Sequence, residues 1–255
     1  MKKSNIAGLP AELKCLLRSV PSLTVAVFVV ATIAMNLLAN KSIDLPVSFL
    51  ALDCGIIVSW IIFLCMDIVT RQFGPRGATL LSVVAIVVNL GMCAIFYVGS
   101  IIPGTWGESY VDGMETVINT ALDNTLGGTW YILLGSSIAF FVSALVNNFS
   151  NWYIGVHLAK KAADGSGSFG NFAARSWIST GLGQFVDNLT FALIVSRQFF
   201  GWTMVQCFMC ALTGALAELL FEVIFSPAGY RICEKWRAEG VGEAYLREYP
   251  FRHAK

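Results

Sequence analysis

The stretch "IIFLCMDIVTRQFGPRGA", residues 61–78, is apolar until Asp67 and then, four residues later, places Arg71. A spacing of four puts both side chains on one helical face. Either the pair closes a buried helix at a surface, or a charge is held inside a membrane for a purpose. The rest of the chain settles which solvent surrounds it. Of 255 residues, 56% are hydrophobic and 13% charged, where a soluble domain carries about 25% charged residues. The net charge of +1 does not suggest a nucleic-acid partner, because phosphate binding needs a basic surface.

The charges are clustered. No Asp, Glu, Lys or Arg occurs between Ser19 and Asn40, between Gly77 and Gly107, from Asn124 to Ala159 or from Gln198 to Ala217. Crossing a bilayer takes roughly 20 apolar residues in a helix. Two further segments qualify if they tolerate acids: Asp53 and Asp67 in one, Asp187 in the other. The expected fold is therefore all-α, a polytopic membrane protein of six transmembrane helices, over about 20–40, 46–69, 77–102, 129–158, 176–196 and 199–226. The first is read as a retained helix, too long for the core of a cleavable signal. One membrane domain accounts for 1–255, with an outer loop at 103–128 and a cytoplasmic tail at 231–255.

Lys41 and Arg197 are the only two of 17 basic residues left outside if both termini are cytoplasmic, which is the topology the positive-inside rule selects. Within the outer loop, "VDGMETVINTALDN" (111–124) has the pattern of a short amphipathic surface helix. Pro227 is expected to kink or stop the last span. Three spans per half would place the halves in opposite orientations, as in inverted-repeat transporters. Asp-x-x-Thr at Asp67–Thr70 and again at Asp187–Thr190 is compatible with a 3+3 repeat.

Several motifs carry no chemistry. "GSGSFG" (165–170) has the dinucleotide-binding letters but lies in a polar linker between spans, not between a strand and a helix. Cys207 and Cys210 form one C-x-x-C without a second pair, and the only histidines are His157 and His253. No metal site, cofactor or catalytic constellation is expected. The embedded polar groups say more. Asp187 lies about 16 Å into its span, near the midplane, where a charge costs about 2.5–3.5 kcal/mol on insertion scales and marks a functional site. Gln184 and Asn188 share its face. Asn147, Asn148 and Asn151 on the fourth span, with Asn36 and Asn40 on the first, suggest a shared polar cavity. Asp67 with Arg71, and Glu218 with Glu222, are pairs four apart toward cytoplasmic helix ends, candidates for gating or coupling.

"FLCMDIVTRQFGPRGA" (63–78) and "WISTGLGQFVDNLTFALI" (177–194) resemble the two signature regions of the bacterial queuosine precursor transporters, a family of the vitamin-uptake type. The matching positions are Asp67, Arg71, Phe73, Gly74, Arg76 and Ala78, then Ser179, Thr180, Gln184, Asp187 and Phe191. "NLLANK" (36–41) resembles the end of the family's first helix. The resemblance spans about 20–232. It departs on the last helix, where the family often has a lysine upstream of the proline and this chain has Ala217 followed by Glu218.

The resemblance implies import of 7-deazaguanine bases, the cyano- and aminomethyl- precursors or queuine, across the bacterial inner membrane for tRNA modification. A guanine-like edge presents an N–H beside an amino group, and a carboxylate accepts both. Asp187 is suited to that edge, Gln184 and Asn188 to its other sides, and Trp177, Phe191 and Trp60 to the ring face. Asp67 with Arg71 would break and reform as a cytoplasmic gate. The alternative is the substrate-binding subunit of an ATP-driven uptake complex, with an ATPase module as partner. Such subunits typically dock through small residues four apart on the first helix, and Ala26, Ala31, Ala34 and Ala39 contain no such pair. A homodimer is compatible with either reading.

Overall fold

The computed structural model describes residues 8–43, 46–47, 52–107, 115–127, 130–161, 169–199 and 201–250. The described residues are almost entirely helical. α1 (Leu9–Ser19) meets α2 (Ser22–Leu38) at a bend of 107°. The cause is local: Pro21 caps α2, and Val20 before it is extended at φ −76°, ψ 132°, as a residue preceding proline prefers. A two-residue ribbon pairs β1 (Ser42–Ile43) with β2 (Leu52–Asp53) and delivers the chain into α3 (Ile56–Ile101).

α3 turns back on itself at Gly74, whose φ of 81° and ψ of 170° are not helical. Sixteen residues of straight helix cover about 24 Å, yet Ser82 Oγ is 3.5 Å from Met66 Sδ. The arms 56–73 and 75–101 therefore lie side by side, with Pro75 opening the second. Gly74 supplies a positive φ that other residues resist. Gly74→Ala is expected to cost about 1–2 kcal/mol, read as a lower melting temperature of the purified protein.

α4 (Glu115–Gly127) falls where the amphipathic helix was expected, and Asp123 Oδ1 accepts from Trp106 Nε1 at 2.8 Å. α5 (Trp130–Lys161) leads to α6 (Phe169–Phe191), which widens into a π-helical turn (Ala192–Ser196) before short α7 (Arg197–Phe199). α8 (Met204–Ala238) opens on a capping box, Thr203 Oγ1 accepting from Gln206 N–H and Gln206 Oε1 accepting from Thr203 N–H. α9 (Glu243–Glu248) closes the described chain. Most of the linker 165–170 and loop residues 108–114 lie outside the described residues.

Two helix boundaries differ from the sequence reading. The second helix begins at Ile56, because the ribbon precedes it. α6 begins at Phe169, so Arg175 lies inside a helix, not in a connection. α8 runs through Pro227 to Ala238, so the proline does not stop it. Among the described residues, four helices qualify as membrane spans by length and apolarity, or five if bent α1–α2 is one. That count takes folded-back α3 as a single helix.

α6 packs between α5 and α8, α5 against α3, and α3 against α2. The bundle is apolar outside and polar within. Leu23, Val30, Val87, Ile95, Val205 and Leu220 are each at least 60% exposed, whereas Asp67, Asn147, Arg175, Gln184, Glu218 and Glu222 are buried. Such a surface suits hydrocarbon. Outside this interior, Glu12 of α1 accepts from Arg76 Nε and Nη2 at 2.6 and 2.5 Å and from Tyr245 Oη at 3.2 Å. That cluster ties α1, the α3 turn and α9 together, and burial together with Glu12 pushes the Tyr245 phenol upward.

Candidate functional site: two layers of buried carboxylates

One face of α5 organises the interior. Ser136, Ser143, Asn147 and Asn151 follow one another at helical repeats, and each meets a different partner. Ser136 Oγ donates to Asn36 Oδ1, Ser143 Oγ to Asp187 Oδ1 at 2.7 Å, and Asn147 Nδ2 to Asp67 Oδ1 at 2.9 Å. Asn151 Nδ2 donates to Ser179 Oγ at 3.1 Å, and its Oδ1 accepts from Arg175 Nε at 2.9 Å. Asn36, Asn147, Asn151 and Asp187 thus belong to one polar seam where α5 meets α2, α3 and α6, while Asn148 turns to Thr70 and Thr79 of α3.

In the first layer, a crevice is lined by Asp53, Asp187, Glu218, Asn188, Ser59 and Ser136, with Met35, Ala39 and Phe191 as its apolar wall. Its walls nearly close, leaving room for about one water. Ser59 Oγ donates to Glu218 Oε1 across it, while Glu218 Oε2 is buried without a partner among the described residues. Gly214 lets the Asn188 amide lie against α8, where a Cβ would come within 2.6 Å of Nδ2.

The second layer is built on Asp67. Besides Asn147, its oxygens face Ser176 Oγ, Ser179 Oγ at 3.3 Å and Thr180 Oγ1 at 3.4 Å. Ser176 Oγ also lies 2.5 Å from Glu222 Oε1. Gln184, one turn from both Thr180 and Asp187, sits between the layers with both amide atoms buried and partnerless among the described residues. Gly183 makes the crossing possible: a Cβ there would stand 2.7 Å from Phe63 and 2.9 Å from Asn147. Gly183→Val is expected to cost about 1–3 kcal/mol through overpacking, again visible as a drop in melting temperature.

Several expected roles change. Arg71 does not pair with Asp67; its Nη2 bonds Glu234 Oε1 at 3.1 Å, and the guanidinium lies over the Phe172 and Tyr230 rings at 5.1 and 5.2 Å. The long Arg71 side chain reaches α8, leaving Asp67 to the hydroxyls of α6. Trp60 stacks on Phe225 at 4.2 Å, and Trp177 Nε1 donates to Ser226 Oγ at 3.3 Å. Neither lines the crevice, so Phe191 is the one expected ring that does. Asn40 bonds its own helix, donating to Leu37 O at 3.0 Å. Asn36 reaches the seam only through Ser136. Glu218 and Glu222 face inward, not toward an interface.

Residues the sequence did not single out are Asp53, Ser59, Ser136, Ser143, Ser176 and Arg175. Two of the serines carried a faint signal: Ser136 and Ser143 continue the helical period of Asn147 and Asn151.

A multi-pass helical bundle that keeps carboxylates and amides inside an apolar shell has the anatomy of a membrane transporter. The family model described as "Putative vitamin uptake transporter" matches residues 53–232, and the chain belongs to that family. It is a family of transporters, not enzymes. No curated protein and no solved structure matches the chain.

Proposed function

We propose that the chain imports 7-deazaguanine bases, the cyano- and aminomethyl- precursors or queuine, and does so alone by alternating access. In this reading α2, both arms of α3, α5, α6 and α8 cross a bacterial inner membrane, giving six spans with both termini inside. The observation that carries it is the convergence of Asp187, Glu218 and Asp53 on one crevice beside Asn188 and Phe191. Acids accept and do not donate when ionised, so such a crevice favours a ligand rich in N–H groups. A guanine-type edge is one, and the aminomethyl form adds a cation. Gln184 stands one turn away with a free donor and acceptor for the ring carbonyl or pyrrole side.

The crevice has room for about one water and must widen to admit a base. Ligand-dependent thermal stabilisation of purified protein tests the assignment. A ligand at 100 times its dissociation constant adds about 2.7 kcal/mol. Cyano-deazaguanine, aminomethyl-deazaguanine or queuine is expected to raise the melting temperature, and guanine and biotin less or not at all. No stabilisation by any deazaguanine, from a protein that still melts cooperatively, contradicts the substrate.

A further inference from the structure

Ser176 Oγ contacts two buried carboxyl groups, Asp67 Oδ2 and Glu222 Oε1. A hydroxyl has one proton to donate and must accept through any second contact. Two ionised carboxylates cannot both be satisfied by it, because one contact would oppose lone pairs. One of the acids therefore donates. Asp67 is the anion: Asn147 donates to it, and Ser179 and Thr180 hydroxyls surround its oxygens. Glu222 has only Ser176, and its Oε2 is buried without a partner among the described residues, a poor environment for charge.

We propose that Glu222 is the proton-carrying residue of this transporter, linked through Ser176 to Asp67, and that import is driven by protons. Glu222 Oε1–H donates to Ser176 Oγ, and Ser176 Oγ–H donates to Asp67 Oδ2. Transfer along this line moves the proton to Asp67 and leaves Glu222 as the carboxylate. Cys65 and Asp67 on α3 face Glu222, and Arg175 on α6 faces Asp67. Arg175 is held by Asn151, and Arg71 beyond it by Glu234. Arg175 acts on Asp67 through space without an ion pair, and among the described residues no cation pairs with Glu222, which keeps its proton. Ser176 Oγ stands between the two carboxyl groups and contacts both.

The site is joined to the crevice twice. On α8, Glu222 lies one turn from Glu218, roughly 5–6 Å between Cβ atoms. On α6, Gln184 stands one turn from both Thr180 and Asp187, its amide without a partner among the described residues. Opening the crevice for a donor-rich solute draws Glu218 away from Ser59 and alters the field at Glu222, which links loading to protonation. The direction of coupling rests on the importer reading; the proton on Glu222 does not.

Infrared spectroscopy of the purified full chain, without substrate, reads the proton directly. At neutral pH the wild type is expected to show a carboxylic acid carbonyl band that shifts in D2O. Glu222→Gln, whose amide can donate to Ser176 as the acid does, is expected to fold and to lose that band component. An unchanged band in Glu222→Gln, or no protonated carboxyl in the wild type, overturns the assignment. In proteoliposomes supplied with labelled cyano-deazaguanine, each unit of inward pH gradient is expected to raise accumulation about tenfold for one proton per solute. Accumulation that follows sodium and ignores pH overturns the coupling. A substrate that fails to bind contradicts the importer reading and leaves the infrared result standing by itself.

Discussion

Asp187→Asn is expected to weaken uptake of a deazaguanine about 10- to 100-fold while the protein still folds. The carboxylate lies on the crevice and has one described protein donor, Ser143. A hydrogen bond to a charged group contributes about 1.5–3 kcal/mol, and asparagine can accept from only one side of a two-donor edge. The amide keeps the shape and can still accept from Ser143, so the fold loses little. Initial uptake rates at limiting substrate, beside melting curves of both proteins, check it. Normal uptake by Asp187→Asn removes this residue from the recognition role, whatever its effect on stability.

The second large effect is structural. Asp67→Ala leaves Asn147, Ser176 and Thr180 facing a void at the centre of the bundle. Each stranded buried donor costs about 1–3 kcal/mol, and breaking a buried charged network by removing one partner costs about 3–5 kcal/mol. The variant is expected to melt far below the wild type or to fail to accumulate in the membrane. Asp67→Asn keeps the outline and should be much milder. Because Arg71 belongs to Glu234, Arg71→Gln combined with Asp67→Asn is expected to give additive losses, as independent sites do. A strong coupling between them would restore the pairing that the i,i+4 spacing suggested.

Those two residues show where the sequence was legible and where it was not. The distribution of charge marked the chain as a membrane bundle, and helical spacing marked Gln184, Asp187 and Asn188 as one face. Spacing within a helix says nothing about which neighbour that face meets. Asp67 and Arg71 share a face, but Arg71 is long enough to reach α8 and the α6 hydroxyls satisfy Asp67 better. Trp60 and Trp177 lie near polar positions in sequence, yet their rings turn toward Phe225 and Ser226. Arg175 looked like a loop cation because it stands near Lys160 and Lys161 in a polar stretch. It is carried inside because Asn151, 24 residues earlier on α5, accepts from its guanidinium. The serines were hardest to see. A hydroxyl barely changes hydropathy, and only its partner across the bundle distinguishes packing from function.

The most direct measurement of the importer reading is uptake of labelled cyano-deazaguanine into proteoliposomes containing this chain and no other protein. Time-dependent accumulation above empty vesicles, diminished by Asp187→Asn and competed by aminomethyl-deazaguanine, is the expected result. Binding without uptake, with transport appearing only when an ATPase module is added, would contradict a transporter that works alone and identify a substrate-binding subunit instead.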